Sequence, residues 1–342
     1  MQKLRDKCIE QIALLAIILL GSPWITQGAD ETIALSTLEI KWGMKVKAPG
    51  FALEQKHNEP GGSAYFMASD RSRQIILSGR VERAAKAGSA KDAREYFWEE
   101  LKKSPFRMDD IKMSESSQVA IVEYTIREHM GIPVNQKNVW GYYAKDQYFI
   151  NLHVSKTGFQ PGQEGVLKQI LEGVSYEEKV AGRRIETRYR VNEANVIVFE
   201  VPEKWLDEIQ RPKDFPPTII FKPDRMPAMA IHVTPMWNPG QEKDFNSSES
   251  ILKILQDGGN KLLSEAVEKE VRLRELKGRT GSGYYFSLTD KSPAIKPGEY
   301  RYMTQGGIPV GSLLVMFTIF SNEKDSVDIP IAREIIAKAI QK

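Results

Sequence analysis

Apolar positions along the chain recur in two successive rounds with the same order of elements. In the first, Phe51–Gln55, Tyr65–Met67 and Gln74–Ser78 read as short strands. Ala93, Phe97 and Leu101 then fall at the i, i+4 spacing of a helix, predicted over Ala90–Lys103. Ser89 is its N-cap, with Asp92 three residues on, and Pro105 stops it. Val119–Arg127, Asn138–Ala144 and Tyr148–Ser155 follow as strands. A helix with Val166, Leu167, Ile170, Leu171 and Val174 on one face ends the round.

The second round predicts strands at Val196–Val201, Thr218–Lys222 and Met229–Thr234, with Pro216 and Pro217 in a loop. Asn246 caps a helix with Glu249 at N3, and Ile251, Ile254, Leu255, Leu262 and Leu263 form its buried stripe. Gly258 and Gly259 inside that stripe predict either a break or a close helix–sheet approach. Strands at Arg272–Lys277, Gly283–Asp290, Glu299–Gln305 and Leu313–Ser321 come next. A helix bearing Ile331, Ile335, Ile336, Ala339 and Ile340 is the last element. In Leu313–Ser321 both faces are apolar, which predicts cover on both sides. The polar stretch Glu177–Arg188 lacks apolar periodicity and divides the rounds. The expectation is an α+β fold of mainly antiparallel sheets packed by helices. Its parts are a signal peptide (1–28), a first domain (29–178), a linker (179–188) and a second domain (189–342) related to the first by duplication.

The N-terminus changes the setting. Lys3, Arg5 and Lys7 precede the apolar run Ile12–Leu20, and Thr26 and Gly28 supply small residues for cleavage. That run falls well short of the roughly 20 residues that span a bilayer, so the expected product is an exported protein of the periplasm or extracellular space with no membrane span. Cys8, the only cysteine of 342 residues, leaves with the signal peptide. The mature chain then lacks thiol chemistry, disulfides and cysteine-ligated metal. With 48 basic and 45 acidic residues, charge is near balance, and no basic block marks a nucleic-acid surface.

The segments that carry a resemblance are Gly283-Tyr-Tyr-Phe-Ser-Leu-Thr-Asp290, Gly298-Glu-Tyr-Arg-Tyr302, Phe317-Thr-Ile-Phe320 and the final helix in the second half, and Val122-Glu-Tyr-Thr-Ile126, Gln136-Lys-Asn138 and His153-Val-Ser-Lys156 in the first. In these the chain resembles the PsbP/DcrB-like (Mog-type) α/β/α sandwich superfamily, in two tandem copies. The resemblance implies a non-catalytic exported protein acting in docking or assembly.

Motifs for chemistry are weak. Gly278-Arg-Thr-Gly-Ser-Gly283 has phosphate-loop glycines but continues into Tyr284 and a strand, so it reads as a hairpin turn. Lys156-Thr157-Gly158 and Ser321-x-x-Lys324 match two elements of penicillin-recognising enzymes in reversed order, without Ser-Asp-Asn. His57, His129, His153 and His232 are isolated, and His153 and His232 read as structural residues within strands. Asp109-Asp110 reads as a turn, and neither Asp70 nor Asp290 builds a cation loop. No catalytic residue, metal ligand or cofactor follows from these. The aromatics are more informative: Tyr284, Phe286 and Leu288 alternate with Tyr285, Ser287 and Thr289, and Tyr300 and Tyr302 share a face of the next strand. One set fills a core; the other lines a binding face or packs under a helix. Tyr285, Tyr300, Tyr302 and Trp237 are the candidate partner-binding residues, with Trp205 and the loop Arg211–Pro217 as possible additions. The expected function is non-enzymatic: binding of an envelope protein or a small ligand. Carriage of an apolar or lipid-like ligand, and hydrolysis at a site assembled only by the fold, are the alternatives.

Overall fold

The computed structural model describes residues 32–342 except 38, 60–61, 214, 224–228, 239 and 241–243. The signal-peptide reading of 1–28, Cys8 included, therefore lies outside the described residues. These residues form a mainly antiparallel α+β fold with four α-helices. They divide into two compact units, one ending at Glu178 and one beginning at Lys179.

In the first unit the strands are β1 (Thr32–Leu35), β2 (Trp42–Lys47), β3 (Ala52–Glu59), β4 (Ser63–Asp70) and β5 (Ile75–Arg83). Helix α1 (Ala90–Leu101) follows, then β6 (Asp109–Glu115), β7 (Ala120–His129), β8 (Ile132–Lys145) and β9 (Tyr148–Lys156). Helix α2 (Glu164–Glu172) and β10 (Val174–Glu178) complete it. Seven strands form one antiparallel sheet in the order β3-β4-β5-β9-β8-β7-β6, and β1 and β10 flank β2 in a smaller one. Helix α1 begins with the expected capping box: the Ser89 hydroxyl accepts from Asp92 N, and Asp92 accepts from Ser89 N at 2.7 Å. It lays Ala90, Ala93 and Phe97 on Val122, Tyr142 and Phe149. The next residue, Tyr143, points to the other face and donates to Leu171 O of α2 at 2.8 Å. The small sheet lies on that second face too, where Lys56 donates to Ala34 O at 3.0 Å.

The second unit has β11 (Arg184–Arg190), β12 (Val196–Pro202), β13 (Leu206–Gln210), β14 (Thr218–Lys222) and β15 (Met229–Met236). Helix α3 (Ser248–Leu262) follows, then β16 (Arg274–Lys277), β17 (Ser282–Thr289), β18 (Tyr302–Val310) and β19 (Leu313–Ser321). Helix α4 (Asp328–Ala337) and β20 (Ile340–Gln341) end it. Its large sheet runs β13-β14-β15-β19-β18-β17-β16, and β11 and β20 flank β12. This is the strand order and connectivity of the first unit, element for element. Here also the helices take opposite faces: α3 packs on Phe286, Leu288 and Leu314, and Arg333 of α4 lies over the Tyr285 ring at 4.9 Å.

Several sequence expectations need correction. Of the 179–188 segment read as linker, residues from Arg184 onward belong to β11, whose polar side chains alternate on a half-covered strand. Val174 leaves its helix to open β10, and Val166 is exposed. Ser247, rather than Asn246, caps α3, while Asn246 donates to Gly311 O and Leu313 O. Only Ile251, Leu255 and Gly259 of α3 are buried; Ile254 and Leu262, expected in the buried stripe, are exposed. The two glycines do not break the helix. A Cβ on Gly259 would sit 2.9 Å from Val271 Cγ2 and 3.0 Å from Phe286 Cζ, so the close helix–sheet approach is the reading that holds. Asp109-Asp110 opens β6 with Asp110 at φ 56 and a register shift, so its turn-forming character appears as a bulge. No helix of the described residues is long and apolar enough to cross a membrane.

Candidate functional site

The aromatic candidates of the second unit separate once the strands are laid down. Tyr285 is 8% exposed and packs beneath α4, where the Arg333 guanidinium covers its ring and donates to its hydroxyl. Tyr302 is half-buried on that same face, opposite Thr289 and Ser321. Tyr300 precedes β18, since the bend at Arg301, held by Asn322 Oδ1 at 2.8 Å, interrupts the alternation. It therefore does not share Tyr302's face: its ring stacks on Phe320 at 5.4 Å, on the side carrying α3. Trp237 follows Met236, which pairs with Leu314, whereas Tyr302 pairs with Ser321. The length of β19 puts the two ends about 25 Å apart, so Trp237 is not brought to the tyrosines. Trp205 is buried at 8%, while Phe215 in the Pro-rich loop is 71% exposed. Thus the four candidates occupy three places, with Tyr300 on the α3 face and Tyr285 and Tyr302 on the other.

That face carries a feature the sequence reading missed. His232 on β15 lies opposite Thr318 on β19, and Thr318 lies opposite Gln305 on β18. The three side chains form one row across the centre of the sheet, each half-buried. None makes a side-chain hydrogen bond among the described residues. One step along β19, Phe320 meets the His232 ring edge-on at 5.5 Å and stacks with Tyr300 at 5.4 Å. Lys222 at the sheet margin is held by Glu208 at 2.9 Å. Burial, with Lys222 nearby, holds the His232 imidazole below its ordinary pKa and so neutral at pH 7.

The first unit has the corresponding row, differently filled. His153 and Thr318 are each the sixth residue of their strand, counted from two-residue hairpins Lys145↔Tyr148 and Val310↔Leu313. His153 lies between Ser78 of β5 and Trp140 of β8. Here the row is closed. Trp140 stacks on the imidazole at 4.2 Å and donates from Nε1 to Tyr124 Oη at 3.2 Å. His153 Nε2 meets Asn138 Oδ1 at 2.9 Å, and that oxygen also accepts from Gln136 Nε2 at 3.1 Å. The acceptor assigns the proton to Nε2 and leaves buried Nδ1 without a partner. Full burial pushes the His153 pKa down to about 3.

The remaining sequence motifs serve structure. Gly278–Gly281 is the β16–β17 turn, closed by Gly278 N to Gly281 O at 3.0 Å. Lys156 donates to Arg73 O, and Ser321 Oγ donates to Glu323 O at 2.8 Å; the two lie in different units. His57 packs on Tyr65 and His129 on Phe106. Asp70 caps its own turn through Ser72 and Arg73 N, and Asp290 accepts from Ser292 N at 2.6 Å. No group of three or more histidine, aspartate or glutamate side chains able to hold a metal occurs among the described residues.

No protein-family profile matches the chain, and no curated protein matches it significantly. Matches among solved structures include the solution structure of cyanobacterial PsbP (CyanoP) from Synechocystis sp. PCC 6803. It is 13% identical with a TM-score of 0.31, over 46% of this chain and 98% of that one.

Proposed function

We propose that this chain is a non-catalytic, exported protein of the cell envelope that binds an envelope component through the α3 face of its second unit. Two tandem PsbP/DcrB-like sandwiches supply the frame, a reading supported by the identical strand order of the two units. The observation that carries the proposal is the open row His232–Thr318–Gln305, where three half-buried polar side chains keep their hydrogen-bonding capacity unused beside an aromatic pair. Half-buried polar groups stay within reach of a ligand, whereas the equivalent row of the first unit is covered, with Trp140 stacked on His153 and Asn138 bonded to it. Binding is also the role that the unlinked side chains of this row fit. No hydrogen bond joins the Thr318 hydroxyl to His232, or His232 to Glu208, whose carboxylate holds Lys222. A nucleophile, base and orienting group would need those links.

A photo-crosslinking residue at position 305, in the tagged chain exported by its native cell, tests the reading. The control carries the same residue at Ser287, exposed on the opposite face. An adduct of one mass formed at 305 and not at 287 supports it. Equal adducts at both positions, or none at either, would overturn it.

A further inference from the structure

We infer that the group recognised by the open row is a neutral saccharide; this rests on the binding reading given above. The argument is one of matching inventories. Neutral His232 offers one N–H donor and one bare nitrogen acceptor, Thr318 a hydroxyl that does both, and Gln305 a carbonyl acceptor and an NH₂ donor. Every position in the row both gives and accepts. Vicinal hydroxyls, which also do both, satisfy such a row completely. An anion would leave the acceptors unmet, and a cation would leave the donors unmet. Charge points the same way: Lys222 is spent on Glu208, so the row presents no net charge to a ligand.

Dimensions and surroundings agree. Three neighbouring strands at about 4.8 Å spacing set the polar groups across roughly 10 Å, the length of one disaccharide. Phe320 and Tyr300 stack face on face at 5.4 Å with an interplanar angle of 26° at the margin of the row, and the outer face of that stack is an aromatic shelf. The apolar C–H face of a pyranose rests on such a shelf while its hydroxyls meet the polar row. An apolar or lipid-like ligand would bury His232, Thr318 and Gln305 unsatisfied, at about 1–3 kcal/mol for each group. The first unit's row is closed by Trp140 over His153, so the site belongs to the second unit alone.

The test is an NMR titration of the full mature chain with cellobiose and with N,N′-diacetylchitobiose, following the His232 ring and the Thr318 methyl. Saturable shifts confined to the row, with a dissociation constant below about 10 mM, are expected for at least one disaccharide. Gln305→Ala and Tyr300→Ala should each weaken it by tenfold or more, with their folding checked by the unchanged methyl spectrum of the first unit and of Val315 and Ile319. No shift in the row with either sugar at about 50 mM, or shifts equally large in both variants, would overturn the inference. If the sugars fail while the position-305 adduct forms, the saccharide inference alone falls. If both fail, the binding reading falls with it.

Discussion

His232 and Thr318 face each other across β15 and β19 without a hydrogen bond between them, whereas at the matching place in the first unit His153 is bonded and stacked. The same position of one strand plan is thus structural in one unit and open in the other. Stability measurements should separate the two. Thr318→Val removes no hydrogen bond and should change the unfolding free energy read from urea titration by less than about 0.5 kcal/mol. Asn138→Ala removes the shared acceptor of His153 and Gln136 within a buried site, and should cost about 2–4 kcal/mol. Equal effects would refute the distinction.

Acid should act through His153. Its folded pKa is about 3 because of burial, against about 6.5 when unfolded. The unfolded chain therefore binds the extra proton, and stability present above pH 6.5 is lost as pH falls toward 3. Between pH 7 and pH 5 the loss should be about 2 kcal/mol. His232, whose pKa is also lowered by burial, adds to it in the same direction. Urea titrations at the two pH values read the difference, and His153→Gln should remove most of it.

Neighbouring glycines of α3 should respond with opposite signs. Gly258 has nothing within 4 Å of an added Cβ, while Gly259 abuts Val271 and Phe286. Gly258→Ala should stabilise the helix by about 0.5–1 kcal/mol. Gly259→Ala should push the helix from the sheet and cost about 1–3 kcal/mol. Thermal denaturation of the two variants checks both.

The β7–β8 hairpin turns through Met130 (φ 52) and Gly131 (φ 80), with His129 paired to Ile132. Two positive φ values make this the mirror-image turn that favours Asn-Gly, yet Met130 is 86% exposed. Met130→Asn should raise stability by about 0.5–1 kcal/mol, seen as a higher melting temperature. An unchanged or lowered value would show that the methionine side chain is held by contacts worth as much as the strain.

The strands and helices were mostly readable from the sequence because alternation and capping are local. Ser89 and Asp92 announced α1 three residues apart, and Leu313–Ser321 showed its double apolar face directly. What failed was non-local or decided by single bonds. β2 and β10 carry little periodicity of their own and form because they pair with each other. Tyr300 lost its expected face to one bend at Arg301. The open row could not be seen at all: His232, Thr318 and Gln305 lie far apart in the chain, and only strand register sets them side by side. Each was an ordinary strand residue until its neighbours were known.

In each unit the first and last strands lie on either side of the second, β1 and β10 around β2 and β11 and β20 around β12. A chain emerging end-first from a ribosome or a translocation pore meets this as a matter of timing. β2 can pair with β1 at once, but one of its edges stays bare until the whole intervening sheet has been delivered. That waiting edge is the natural grip for a chaperone and the natural fault line for swapping between copies. It closes separately for each unit, so a stalled or truncated chain would present one finished unit and one with its edge still open.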